Sequence, residues 1–186
     1  MIRALARVTA LAVAALLLFA LQQTTPGYSE ITGPITQHGV AGTTTNARGF
    51  TLRVEKVVLA ERLRWQAFGR SYDRDTGGLW AVAVVEVEGT PATTALSGAT
   101  WLAASGLRFE ASERAESVRG FLRGRRLEPG LPQRGLLIFE IGRDAARNGA
   151  LLVSMSRWPR LDTQLRITIP NERIEQAETL DLETLT

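Results

Sequence analysis

The densest apolar stretch of the chain, Gly135 to Ile141, is too short for a helix and rich in strand formers. In strand geometry Leu136, Ile138 and Glu140 point one way, and Leu137, Phe139 and Ile141 the other. A strand apolar on nearly both faces belongs in the middle of a packed sheet. The turn before it is legible too. In Leu127-Glu128-Pro129-Gly130, Pro129 fixes φ at the second position and Gly130 tolerates φ > 0 at the third. A second buried strand runs from Leu79 to Glu88. Its Leu79, Ala81, Ala83, Val85 and Val87 line one face; Trp80, Val82 and Val84 line the other, which turns polar at Glu86 and Glu88.

Weaker patterns fill in the rest. Phe50, Leu52 and Val54 alternate, and Val57 and Leu59 resume out of phase, as a strand with a bulge near Glu55-Lys56 would. Ala99 to Ala103 and Leu107 to Glu110 form short strands around a Ser105-Gly106 turn. Leu151 to Ser156 and Leu165 to Ile169 are two more, linked by WPRLDT, in which Trp158 is expected as a lid on the core. About seven strands at this spacing predict an all-β antiparallel sandwich over residues 47–170. Residues 23–46 read as a linker with an edge strand near Val40 to Thr45. Residues 61–78 read as a long loop ending in a DRDTGG turn, 111–126 as a charged stretch, and 171–186 as an acidic tail, frayed or briefly helical.

The N-terminus has a different pattern. Arg3 and Arg7 precede an unbroken apolar run from Val8 to Leu21. Counted from Ile2, with Arg7 snorkelling to the headgroups, the segment reaches about 30 Å, the thickness of a hydrocarbon core. We read residues 1–22 as a signal anchor; the alternative is a cleaved secretory signal. Cleavage after Ala20 would place bulky Leu18 three residues before the cut, which favours the anchor. The arginines lie before the apolar run and no basic residue follows until Arg48, so the N-terminus is expected in the cytoplasm and the rest outside.

Residues 37–170 resemble the telokin-like, immunoglobulin-like extracytoplasmic domains of unknown function in bacterial secreted and membrane-anchored proteins. The segments that carry the resemblance are LWAVAVVEVEG, SGLRFEASER, LEPGLPQRGLLIFEI and WPRLDTQLRITI. The resemblance implies an immunoglobulin-like sandwich outside the cytoplasm, usually behind one apolar N-terminal segment, and it implies no activity. The chain departs from the commoner pattern at Glu88-Gly89, where that family often has an Asn-containing turn.

Composition mainly excludes. The 186 residues contain no cysteine, which removes disulfides, thiolate zinc sites and cysteine nucleophiles. The formal net charge is only +3 although the pI is near 10.1, because Lys56 is the only lysine and the other cations are arginines. Nucleic-acid binding is not expected, since it needs many unbalanced cations. His38, the only histidine, has no partners for a triad or a histidine metal site and reads as a solvated linker residue. There is no G-x-S-x-G and no S-x-x-K. Glu86 and Glu88 share a strand face about 7 Å apart, but such pairs are usually a wet face. Asp73-x-Asp75-x-Gly77 opens like a calcium loop and fails at its fifth position, Gly77, and its twelfth, Val84. No catalytic residue, metal ligand or cofactor is assigned.

Two function classes remain. One is an anchored, non-enzymatic module that binds a membrane or cell-envelope protein or another envelope component. The other is an envelope ligand carrier, or an enzyme whose site is assembled from scattered residues. For the first, the leading candidates are Trp65, Phe68 and Tyr72 with Arg64 and Arg70, because aromatics interleaved with arginines are the composition of interface hot spots. The bland alternative is that Trp65 or Phe68 folds back as a plug. Arg119, Arg123, Arg125 and Arg126 form the densest basic run and are a weaker candidate for contact with phosphate or acidic lipid.

Overall fold

The computed structural model describes residues 2–24, Gly27 and 31–185. Residues 25, 26 and 28–30 of the expected linker lie outside the described residues. The chain divides into two units, Met1–Gly33 and Pro34–Thr186. The first holds α1 (Ile2–Thr24), which from Ala6 to Thr24 is apolar and long enough to cross a membrane. The same length and composition fit a signal sequence.

The second unit is a β-sandwich. Its strands are β1 (Ile35–Val40), β2 (Thr44–Asn46), β3 (Phe50–Ala67), β4 (Arg70–Gly89), β5 (Thr94–Ala95), β6 (Gly98–Leu102), β7 (Arg108–Glu110), β8 (Arg126–Leu127), β9 (Gln133–Ile141), β10 (Ala150–Ser154), β11 (Thr163–Thr168) and β12 (Ile174–Asp181). One sheet has the order β1-β11-β10-β6-β7, the other β12-β3-β4-β9 with β2 beside β3, and β5 pairs with β8. The two strongest segments are strands as predicted: β4 and β9 are antiparallel neighbours, with Leu79 opposite Ile141 and Val85 opposite Gly135. β9, however, is the last strand of its sheet and not a middle one. Its outer edge is covered by single bridges from Ala111 to Phe139 and from Phe121 to Leu136, which is why it can be apolar on both faces there. Val85, Trp101 and Phe139 are fully buried.

Face by face, the alternation is the one the sequence implies. Ala81, Ala83, Val85, Leu137 and Phe139 fill the space between the sheets. Trp80, Val82, Val84, Leu136 and Ile138 form a second apolar cluster on the outer face of the β3-β4-β9 sheet. That face is covered by Ala115 and Val118 and by Leu180, Leu182 and Leu185. The bulge in β3 falls between Val54 and Lys56, so Phe50, Leu52 and Val54, then Val57 and Leu59, all reach the inner core.

Several expectations are corrected. The edge strand expected near Val40 to Thr45 exists but starts earlier and is two strands, so residues 35–46 belong to the sandwich. β1 pairs in parallel with β11, from Ile35 opposite Thr163 to Val40 opposite Thr168, β2 pairs with β3, and exposed His38 sits on the edge strand β1. The segment after Asn171 is not a free tail, since β12 pairs in parallel with β3 and Lys56 meets Glu175 at 2.8 Å. The sandwich is therefore not wholly antiparallel, and it has more strands than seven. The 61–78 loop is a continuation of β3 and β4 as a hairpin. Its DRDTGG segment is no turn but a bulge, in which Glu61 alone opposes the stretch from Thr76 to Leu79. Glycine is required there because a Cβ on Gly78 would lie 2.1 Å from the Ile141 carbonyl oxygen. Trp158, finally, is not a lid but exposed.

Candidate functional site

Beyond the bulge the β3–β4 hairpin continues past β9, and β12 flanks it only as far as Arg64. Directly opposed residues of an antiparallel pair share a face. One face therefore carries Leu63 with Arg74, Trp65 with Tyr72, and Ala67 with Arg70; the other carries Arg62 with Asp75, Arg64 with Asp73, and Gln66 with Ser71. The interleaving in sequence thus becomes a separation in space.

The aromatic face turns inward. Trp65 is buried, stacks on Tyr72 at 5.1 Å between centroids, and donates its indole N–H to Ser117 Oγ at 3.0 Å. The Arg74 guanidinium lies 5.6 Å from the Tyr72 ring centroid. Trp65 thus takes the packed alternative, against the outer apolar cluster. On the opposite face Arg64 Nε meets Asp73 Oδ2 at 2.8 Å and Arg62 Nε meets Asp73 Oδ1 at 3.3 Å. Asp73 is thereby engaged, and no group of three or more potential metal ligands occurs among the described residues.

Phe68 has a different setting. It stands at the tip, 88% exposed, at φ 52°, next to Gly69 at φ 71° and Arg70. A two-residue hairpin turn with both φ values positive is the type I′ geometry, which favours Asn, Asp and Gly. A phenylalanine there is strained, at a cost of order 1–3 kcal/mol.

At the base of the hairpin lies an open cleft of about 750 Å³, lined by Leu59, Glu61, Leu79, Arg147, Gln176 and Glu178 among others. Across it Arg143 Nη1 meets Glu61 Oε1 at 2.9 Å. Nothing in the sequence marked this cleft, because it takes its walls from separate segments that only the β12–β3 pairing brings together. A carboxylate-centred clip holds the neighbouring bulge. Glu140 accepts from Arg114 Nη1 at 2.7 Å, from Ser112 Oγ at 2.9 Å and from Thr76 Oγ1 at 3.3 Å.

The basic run divides. Arg123 is turned into the fold, donating to the Ala111 carbonyl at 3.1 Å and meeting Glu113 at 3.0 Å, whereas Arg119, Arg125 and Arg126 are exposed. Of the glutamate pair, Glu88 accepts the Gly130 N–H at 2.7 Å, and Glu86 sits opposite Arg53 on one side and Arg134 on the other.

No protein-family model matches the chain, and no curated protein matches it. Solved structures are similar in fold. The yjhA protein of Bacillus subtilis superposes with a TM-score of 0.54 at 15% identity, over 71% of this chain and 99% of that one. An uncharacterised β-sandwich protein of Clostridium difficile 630 gives a TM-score of 0.49 at 9% identity, over 77% and 99% of the two chains. At this level of identity the likeness to the yjhA protein concerns the fold: a β-sandwich, here behind one apolar helix.

Proposed function

We propose that this chain is a membrane-anchored, extracytoplasmic interaction module of the telokin-like kind. It performs no chemistry and binds a protein or another envelope component through the tip of the β3–β4 hairpin. The observation that carries this reading is Phe68, a large aromatic held exposed and in a strained backbone geometry at the end of a hairpin braced from below by Trp65 and Tyr72. Arg70 and the Arg62–Asp73–Arg64 group flank it. Bracing of this kind presents a contact residue with little ordering left to lose on binding.

Phe68→Asn tests the hairpin. Asparagine suits the turn, so the variant should be more stable than the parent, by about 1 kcal/mol from relief of strain, in chemical denaturation. The same variant should lose the partner recovered by crosslinking and affinity capture from native membranes. Recovery of every partner by a stable Phe68→Asn protein removes the hairpin tip from consideration.

The anchor has its own test. The full-length protein should stay in the membrane fraction at unprocessed mass, with the sandwich accessible to protease from outside. A mature N-terminus between Leu21 and Glu30 would mean a cleaved signal and a released protein. The cleft beside Glu61 supports a second reading, an envelope ligand carrier. A small molecule that co-purifies and is lost on Leu59→Trp would favour it.

A further inference from the structure

The hairpin lies at one end of the sandwich, and the other end has an unexplained composition. Several segments meet there. The Ile35 N–H donates to the Asp162 carbonyl at 2.9 Å, which joins the start of β1 to the 155–162 loop. A Cβ on Gly49 would meet Met155 Sδ at 2.4 Å, so the β2–β3 turn abuts that loop. Thr90 N–H donates to the Gly49 carbonyl at 3.0 Å, and Gly130 N–H to Glu88 Oε1 at 2.7 Å, which adds the end of β4 and the 128–132 turn.

These segments expose large apolar side chains. Trp158 is 74% exposed, and Ile35, Leu131 and Leu161 are exposed with it. Leu161 stands at φ 50°, which a branched side chain rarely adopts. Arg48, Arg125, Arg126 and Arg160 are also exposed here, and none is in an ion pair among the described residues. The nearby carboxylates accept hydrogen bonds from neutral donors and keep their charge: Glu88 from Gly130 N–H, Glu128 from the Thr93 hydroxyl and Asp162 from Thr163 N–H. Among the described residues none of them is drawn into a salt bridge with these arginines. Unpaired arginines around a tryptophan and aliphatic side chains are the composition of a surface that seats in a headgroup layer.

Covalent geometry favours a bilayer over other occupants. The chain from Thr24 to Ile35 can reach no more than about 40 Å even when fully extended. A retained α1 therefore tethers this end of the sandwich, where β1 begins, to the bilayer within that reach. We propose that this end of the sandwich docks on an anionic bilayer surface, with Trp158, Leu161 and Leu131 entering the headgroup layer and the four arginines contacting lipid phosphates. This rests on the anchor reading and adds a lipid-binding surface to it.

The four tryptophans make a test direct, because Trp65, Trp80 and Trp101 are buried and Trp158 is not. The full-length protein is reconstituted in vesicles of phosphatidylcholine with phosphatidylglycerol, with and without lipid brominated near the top of the acyl chain. Subtracting the spectrum of Trp158→Phe from the parent isolates the Trp158 emission. Carbonate extraction of the same vesicles reports separately on the anchor. The proposal expects a carbonate-resistant protein whose Trp158 emission is blue-shifted and mostly quenched by the brominated lipid. It also expects at least a threefold weaker quenching when Arg125, Arg126 and Arg160 are changed to Gln. A carbonate-resistant protein whose Trp158 is quenched by aqueous iodide but not by brominated lipid overturns the docking and leaves the anchor standing. Protection of Trp158 from both quenchers marks a surface covered by protein and also overturns it. Release of the protein by carbonate overturns the anchor, and the docking with it.

Discussion

A chain ending at Pro170 should not fold. The removed residues supply β12, which pairs along β3 from Ile174 opposite Val57 to Asp181 opposite Arg64. They also supply Leu180, Leu182 and Leu185, which are buried on the outer face against Val58, Leu63 and Trp65. At about 1.5–3 kcal/mol for each buried leucine, their loss amounts to roughly 5–9 kcal/mol. The whole stability of a domain is only about 5–15 kcal/mol. Truncation would also leave β3 unpaired on one side from Val57 to Arg64, an edge with apolar neighbours and so an aggregation template. The expected result is an insoluble or protease-sensitive product without a cooperative melt. A truncated protein that melts within a few degrees of the full chain would show that these residues are dispensable. Leu182→Ala gives a graded version in the intact chain, with an expected loss of about 2–5 kcal/mol.

That prediction concerns the part of the fold the sequence hid best, and the reason is physical. Alternation is loud where a strand is buried on both faces, as in β4 and β9, and the phase slip at Glu55-Lys56 was readable because apolar residues resume on either side of it. Edge strands open to solvent are quiet, unlike β9, whose outer edge is covered by Ala111 and Phe121. In β12 the apolar positions Ile174, Ala177 and Leu180 are separated by Glu175, Glu178 and Asp181 on exposed positions, so an edge strand has the composition of a solvated tail. In β1 nearly every residue is exposed, and its place is set by a parallel partner far along the chain. The hairpin escaped for another reason. Strands of 18 and 20 residues far exceed the usual length, and the Gly77-Gly78 pair that permits the bulge has the chemistry of a turn.

The candidate site was half legible for a related reason. Composition picked out the 62–74 segment, but register decides which face each side chain takes, and a slip of one residue would exchange the faces. With Trp65 opposite Tyr72, the aromatics brace the hairpin; with Arg64 opposite Asp73, the cations pair on the far side. What remains exposed at the tip is Phe68 with Arg70, fewer residues than the composition promised. The basic run was thinned in the same way, since Arg123 serves the fold and only its neighbours face solvent.

The inner core can be tested at one residue. Phe139 is fully buried and tilted against Trp101 with centroids 6.4 Å apart. Its strand partners on the two sides are Ala81 and Ala111. One large ring fills the space that two small residues leave, as close packing requires. An alanine at 139 would face alanines on both flanks, with no longer side chain in the pairing to swing into the gap. Trp101 cannot follow either, because its indole N–H is held by the Ala145 carbonyl at 2.9 Å. The cavity should therefore stay open, and Phe139→Ala should cost about 3–5 kcal/mol, toward the upper end of that range. Phe139→Leu keeps most of the volume and should cost distinctly less. Denaturant melts of the two variants check this directly. Equal losses for both would mean that the ring's shape and not the cavity governs the site, and an unchanged midpoint for Phe139→Ala would refute the placement of β9 at the centre of the core.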